Sequence, residues 1–81
     1  MRIQVRLFAI IRERAGLAEL FLDLPAGATV ADAAQALADR LPALQGLRAR
    51  TAYAVNRSYV NAATALSDGD ELALIPPVSG G

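Results

Sequence analysis

The sequence predicts an α+β domain: a mixed sheet of four to five strands, one main helix packed across it, and an extended C-terminal tail. Three observations predict it. Residues 1–8, 17–24 and 71–75 alternate apolar and polar side chains with the two-residue period of a half-buried strand. Residues 30–41 carry an apolar stripe at helical spacing. The last strand then runs into Pro76-Pro77-Val78-Ser79-Gly80-Gly81, whose prolines offer no backbone donor to a sheet. Residues 1–75 are expected to form the domain and residues 76–81 a flexible tail.

In residues 1–8, Ile3, Val5 and Leu7 share one face and Arg2, Gln4 and Arg6 the other. Phe8 falls on the polar face, where a large aromatic is exposed unless a partner covers it. The pattern then becomes a short helical run, Ala9 to Ala15, closed by Gly16 at the C-terminal cap position. From Leu17 to Leu24 the alternation resumes, with Leu20, Leu22 and Leu24 inward and Glu19 and Asp23 outward. Pro25-Ala26-Gly27 ends that strand. Thr29, with Asp32 three residues on, has the spacing of a capping box and opens the main helix, whose stripe is Val30, Ala33, Ala34, Leu37 and Leu41. Pro42 stops it. Residues 43–50 read as an irregular connection, Thr51–Val55 as a third strand, and Asn56-Arg57-Ser58 as a turn into a short return strand at Tyr59-Val60. Residues 61–67 read as loop, Asp68-Gly69 as a turn, and Glu71–Ile75 as the last strand, with Leu72 and Leu74 inward and Ala73 and Ile75 outward. A hairpin, a crossing helix and a final strand leading to a tail suggest a β-grasp sheet.

Composition narrows the chemistry. The 81 residues include no Cys and no His, which removes disulfides, thiolate metal sites and the commonest general base. The chemistry left belongs to carboxylates, hydroxyls, arginine and the chain terminus. Eight Arg balance eight acidic residues, so charge gives no reason to propose nucleic acid. No Lys is present, so a copy of the tail finds no side-chain amine on this chain to acylate. Residues 1–7 alternate where a secretory signal would run apolar, and no stretch approaches a membrane span, so the expected location is cytoplasmic. The acidic group Asp68, Asp70 and Glu71 reads as turn chemistry, and no metal site is assigned.

The tail is the stretch with a chemistry of its own. Two prolines stiffen its exit, and two glycines leave a backbone thin enough for a narrow slot, carrying the terminal carboxylate. Six extended residues reach about 20 Å, enough to enter another protein's active site. A carboxylate is a poor electrophile, so activation, as in a mixed anhydride, must precede attack by any nucleophile. The chain has no Gly-rich loop with a Lys to hold ATP, so the activation is expected in trans.

Phe8-Ala9 with Arg12-Glu13 and Gly16, then Val55-Asn56 with Tyr59-Val60, then Leu66-Ser67-Asp68-Gly69-Asp70-Glu71, and the terminal Pro-Pro-Val-Ser-Gly-Gly block together resemble the MoaD-type sulfur carriers, the small subunits of molybdopterin synthase. The resemblance covers essentially the whole chain. It implies membership of the MoaD/ThiS family with its ubiquitin-like β-grasp fold. It also implies that the Gly81 carboxylate, on Gly80, is adenylated by an E1-like enzyme that uses ATP, and is then converted to a thiocarboxylate by a sulfur donor. The tail would next pass sulfur to the pterin precursor inside the large catalytic subunit, in a heterotetramer of two small and two large subunits. On this reading the chain is a sulfur-donating cosubstrate, non-catalytic on its own, and binds no cofactor itself. Ser79 stands where the family commonly has Thr.

A carrier needs a docking face. The alternation puts Phe8, Ala73 and Ile75 on the side of the sheet away from the helix, with Tyr59 as a further member; the matching family positions lie at the subunit interface. Arg12 matches an Arg of the family motif and is expected to meet an acidic group of the partner, and Pro76, Pro77, Val78 and Ser79 are expected to contact it along the tail. The alternatives are a related carrier serving thiamine synthesis or tRNA thiolation, a ubiquitin-like modifier joined to lysines of other proteins, and an interaction module with an inert tail.

Overall fold

A computed structural model describes residues 1–76, and for residues 47–49 the backbone alone. Strand β1 (Arg2–Leu7) follows from its alternation: Ile3, Val5 and Leu7 are 0–2% exposed. Helix α1 (Ala9–Ala15) comes next, burying only Ile11 among its side chains. It ends at Gly16, whose φ of 78° turns the chain left-handed and lets its N–H donate to the Arg12 carbonyl, the geometry that made glycine the expected residue. Strand β2 (Glu19–Asp23) returns antiparallel to β1, with Ile3 opposite Leu22 and Val5 opposite Leu20.

Helix α2 (Val30–Arg40) begins with the expected capping box. The Asp32 N–H donates to Thr29 Oγ1 at 3.3 Å, while Asp32 Oδ2 accepts from the Thr29 N–H at 2.9 Å. Thr29→Ala removes half of this arrangement and is expected to destabilise the domain by about 1 kcal/mol, read as a lower urea midpoint with an unchanged slope. An unaltered midpoint would mean that the backbone bridge from Thr29 to Ala65 holds the helix start without the hydroxyl. Val30, Ala33, Ala34, Leu37 and Ala38 are buried on the inward face.

The connection expected to be irregular is a 3₁₀ helix, Pro42–Arg50. Pro42 is pre-set for a first helical position, and the buried Leu44 gives the segment an anchor, since its N–H donates to the Leu41 carbonyl at 2.9 Å. Strands β3 (Ala52–Val55), β4 (Ser58–Val60) and β5 (Glu71–Ile75) complete the sheet. It has five strands, in the order β2-β1-β5-β3-β4. Strand β5 lies at the centre, parallel to β1 and antiparallel to β3. This is the β-grasp arrangement.

The register assigns every sheet residue a face. Leu72 pairs with both Val5 and Val55, and Leu74 with both Leu7 and Tyr53, so these lie inward with α2. Arg6, Ala73, Ala54 and Tyr59 pair in one line across four strands on the outer face. Leu66 closes the core from the loop after β4, its N–H bonded to the Ala28 carbonyl at 2.9 Å. The acidic residues before β5 act as turn and latch groups: Asp68 Oδ1 accepts from the Arg2 N–H at 2.7 Å, and Asp70 accepts from the Ser67 N–H and the Asn56 amide.

Among the described residues, three that are not glycine have positive φ: Ala9 at 50°, Asn56 at 49° and Arg57 at 71°. Asn56 and Arg57 are the two central residues of the β3–β4 hairpin, where positive φ at both positions matches the strand twist and where Asn-Gly is the favoured pair. Asn tolerates this geometry; a residue such as Arg or Ala gives up about 1–2 kcal/mol to adopt it.

Candidate functional site

The outer face of the sheet divides into two zones. Over β2 and β1 it is polar and internally paired around one exposed aromatic, Phe21: Arg2 meets Asp23 at 3.1 Å and Gln4 donates to Glu19 at 3.1 Å. Over β5, β3 and β4 it is apolar, formed by Ile75, Ala73, Ala52, Ala54 and Tyr59. Arg6 and Glu71, 3.9 Å apart, mark the boundary. Ala54 is 5% exposed although its register places it on the outer face.

Phe8 follows the last paired residue of β1 in extended conformation, φ −126° and ψ 153°, and so continues the outward phase of Arg6. The Arg6 guanidinium stands 5.7 Å above its ring. Phe8 is 38% exposed and Tyr59 74%. Since Leu7 pairs with Leu74, Phe8 and Ile75 reach the same end of the sheet on neighbouring strands. Tyr59 lies three strand spacings from β1, about 14 Å away, with Ala73 and Ala54 between. Phe8, Ala73, Ile75 and Tyr59 thus share the face that the alternation assigned them. Arg12 is exposed in the last turn of α1, and its N–H donates to the Phe8 carbonyl at 3.3 Å, which puts it one turn from the aromatic. Pro76 is half-buried where β5 leaves the sheet. Pro77, Val78, Ser79, Gly80 and Gly81 lie outside the described residues.

Two further apolar side chains stand in the open. Ile10, 40% exposed, opens α1 beside Phe8, and Phe21, 56% exposed, lies on the outer face of β2 with the Arg2 guanidinium 5.5 Å over its ring. Phe21 was legible from alternation, since it sits between the outward Glu19 and Asp23. Ile10 was not, because a seven-residue helix with one buried side chain gives too short a period to choose a face.

The described residues contain no buried polar or charged side chain. A cavity of about 20 Å³ among Ile11, Leu37, Leu44 and Leu74 holds no more than about one water. No helix among the described residues is long and apolar enough to cross a membrane. What these residues offer is a broad, partly apolar surface at the end of the sheet from which the tail departs, suited to being bound by another protein.

Comparison with known proteins agrees with the fold and the chain length. The molybdopterin synthase sulfur carrier subunit of Chlamydomonas reinhardtii is 41% identical over 83 residues, covering 100% of both chains. The crystal structure of SAMP1 from Haloferax volcanii superposes with a TM-score of 0.90 at 35% identity over 100% of both chains. The small subunit in the complex of subunits 1 and 2 of the molybdopterin-converting factor from Helicobacter pylori gives 0.73 at 27% identity, again over 100% of both chains. A Caldiarchaeum subterraneum ubiquitin, at 21% identity and a TM-score of 0.66, covers 100% of this chain and 98% of its own, and shares the fold alone, which is the ubiquitin-like β-grasp expected. Residues 5–81 match the ThiS family, nearly the full length including the terminal block, and the chain therefore belongs to that family.

Proposed function

We propose that this chain is the sulfur carrier of molybdenum cofactor biosynthesis, carrying sulfur as a thiocarboxylate on Gly81. The observation that carries the reading is the full-length similarity to a molybdopterin synthase sulfur carrier subunit. The geometry supports it, because the central strand β5 ends at Ile75 beside Phe8, at the edge of the exposed apolar zone. In the proposed cycle, a Gly81 carboxylate oxygen attacks the α-phosphorus of ATP on an E1-like enzyme, and pyrophosphate leaves. Sulfide-level sulfur from a donor then attacks the acyl carbonyl, forming the carbon–sulfur bond of the thiocarboxylate as the acyl–phosphate bond breaks and AMP leaves. The thiocarboxylate enters the large subunit of molybdopterin synthase, where its sulfur passes to the pterin precursor; two small and two large subunits form the working assembly. Gly80 and Gly81 lack Cβ, so enzyme groups can approach the reacting carbonyl closely. The chain supplies the acyl group and the docking face, ATP belongs to the activating enzyme, and the chemistry takes place in the cytoplasm.

The direct test is the intact mass of the protein after incubation with activating enzyme, ATP and sulfur donor. A gain equal to the difference between sulfur and oxygen, mapped to Gly81 and separated from Met1 oxidation, is the expected result. Only unmodified carboxylate under those conditions would overturn the reading.

The docking face makes its own prediction. Phe8→Arg places a second guanidinium beside Arg6 and removes an aromatic anchor. Binding to the large subunit is expected to weaken about 30-fold or more in calorimetry, the loss of a typical interface hot spot. The melting temperature should change little, since the ring is already 38% exposed. Unchanged binding with a large loss of stability would make Phe8 a packing residue instead.

A second reading, conjugation to other proteins as a ubiquitin-like modifier, is favoured by the likeness to SAMP1, the small archaeal modifier protein 1 of Haloferax volcanii. It predicts Gly81 in isopeptide linkage to lysines of other proteins, seen by mass spectrometry of proteins captured through the tagged chain.

A further inference from the structure

The outer face has strained backbone at both ends of its apolar zone. Ala9, immediately after Phe8, has φ 50°, and Arg57, two residues before Tyr59, has φ 71°. Arg57 is the clearer anomaly. The two-residue turn of the β3–β4 hairpin requires positive φ at both central positions, and glycine is the residue that stability alone would select at the second. An arginine there keeps a cost that its side chain does not recover inside the domain. Among the described residues, its guanidinium has no ion pair or hydrogen bond. The nearby carboxylates are already engaged: Asp70 with the Asn56 amide at 3.0 Å and the Ser67 N–H at 2.8 Å, and Glu71 with Arg6 at 3.9 Å. Arg57 is exposed next to Tyr59, which at 74% exposure is the most open of the large apolar side chains. Strained residues persist mainly at binding and catalytic sites, and Arg and Tyr are both enriched among residues that anchor interfaces.

We propose that Arg57 is a specificity residue of the docking face, its guanidinium receiving a carboxylate of the large subunit at the edge of the surface that covers Tyr59. The proposal deepens the sulfur-carrier reading and rests on it. Asn56 supports the arrangement. Its Oδ1 accepts from the Glu71 N–H at 3.0 Å and its amide reaches Asp70, so the turn that presents Arg57 is tied to the central strand. From Arg57 to the tail exit is about four residues along the strands, or about 13 Å, well within the width of one standard interface.

The proposal predicts effects of opposite sign. Arg57→Gly relieves the turn, so its melting temperature should equal or exceed that of the parent. Its affinity for purified large subunit should nevertheless fall about 5- to 10-fold at low salt, and this deficit should shrink at high salt, where a charge pair is screened. Arg57→Asn, which keeps a residue tolerant of positive φ and removes only the charge, should show the same loss, and Arg57→Lys should recover part of it. Binding of Arg57→Gly at the parent's affinity in low salt would overturn the proposal. So would a defect confined to adenylation by the activating enzyme, which would assign Arg57 to that partner. The parent protein is measured first. If it does not bind the large subunit at all, the sulfur-carrier reading fails and the proposal falls with it, an outcome distinct from a variant that binds normally beside a competent parent.

Discussion

Gly81→Val is expected to abolish carrier function while leaving the domain intact. In the proposed cycle a terminal carboxylate oxygen first bonds to the α-phosphorus of ATP and a sulfur nucleophile then attacks the acyl carbonyl, so both reactants must approach Gly81 closely. A branched Cβ at the reacting residue fills the space those groups need, and a displacement of about 1 Å at a reaction centre lowers the rate on the order of 100-fold or more. Formation of acyl adenylate, followed by pyrophosphate release, should therefore fall by at least that factor. The melting temperature should not move, because among the described residues the core runs from Ile3 to Leu74. A variant activated and thiolated at the parental rate would show that the terminal glycines are not there to admit enzyme groups. Adding one residue after Gly81 tests the same chemistry from the other side, since an inert tail would not respond.

Leu72→Ala is expected to be the most damaging single truncation in the domain. Leu72 is 0% exposed on the central strand, paired with Val5 on one side and Val55 on the other, so the void it leaves is ringed by fixed strands that cannot collapse into it. Leu→Ala at such a position costs about 3–5 kcal/mol. An 81-residue domain has a total stability of roughly 4–12 kcal/mol at typical values per residue, so the variant should be partly unfolded near physiological temperature. Urea denaturation measures it directly. A loss below about 1 kcal/mol would mean that α2 settles onto the sheet and fills the gap. On the proposed function the consequence is large as well, because β5 directly precedes residues 76–81 and loosening it removes the fixed base of the proposed reactive end.

The inward leucines and valines, the capping box at Thr29 and Asp32, and the Gly16 helix end were legible because each depends on contacts within a few residues. A two-residue period assigns faces without knowledge of the neighbouring strand, and a cap needs only its own first turn. The chemistry proposed for the terminal block rests on sequence alone, since it lies in the absence of side chains and needs no fold to express it. The 3₁₀ segment at Pro42–Arg50 was not legible, because it follows from packing Leu44 under α2 and has little periodicity of its own.

By itself the sequence determined the strands and the two α-helices, the two faces of β1, β2 and β5, and the family. Only the tertiary structure decided that β5 lies at the centre of five strands, that Arg6, Ala73, Ala54 and Tyr59 form one line across them, and that Ala9 and Arg57 carry the backbone strain at either end of the apolar zone. The physical reason is range. Alternation and capping are local, whereas lateral strand order and turn geometry are set by pairings between residues up to about 70 positions apart, such as Val5 with Leu72, which no local pattern specifies.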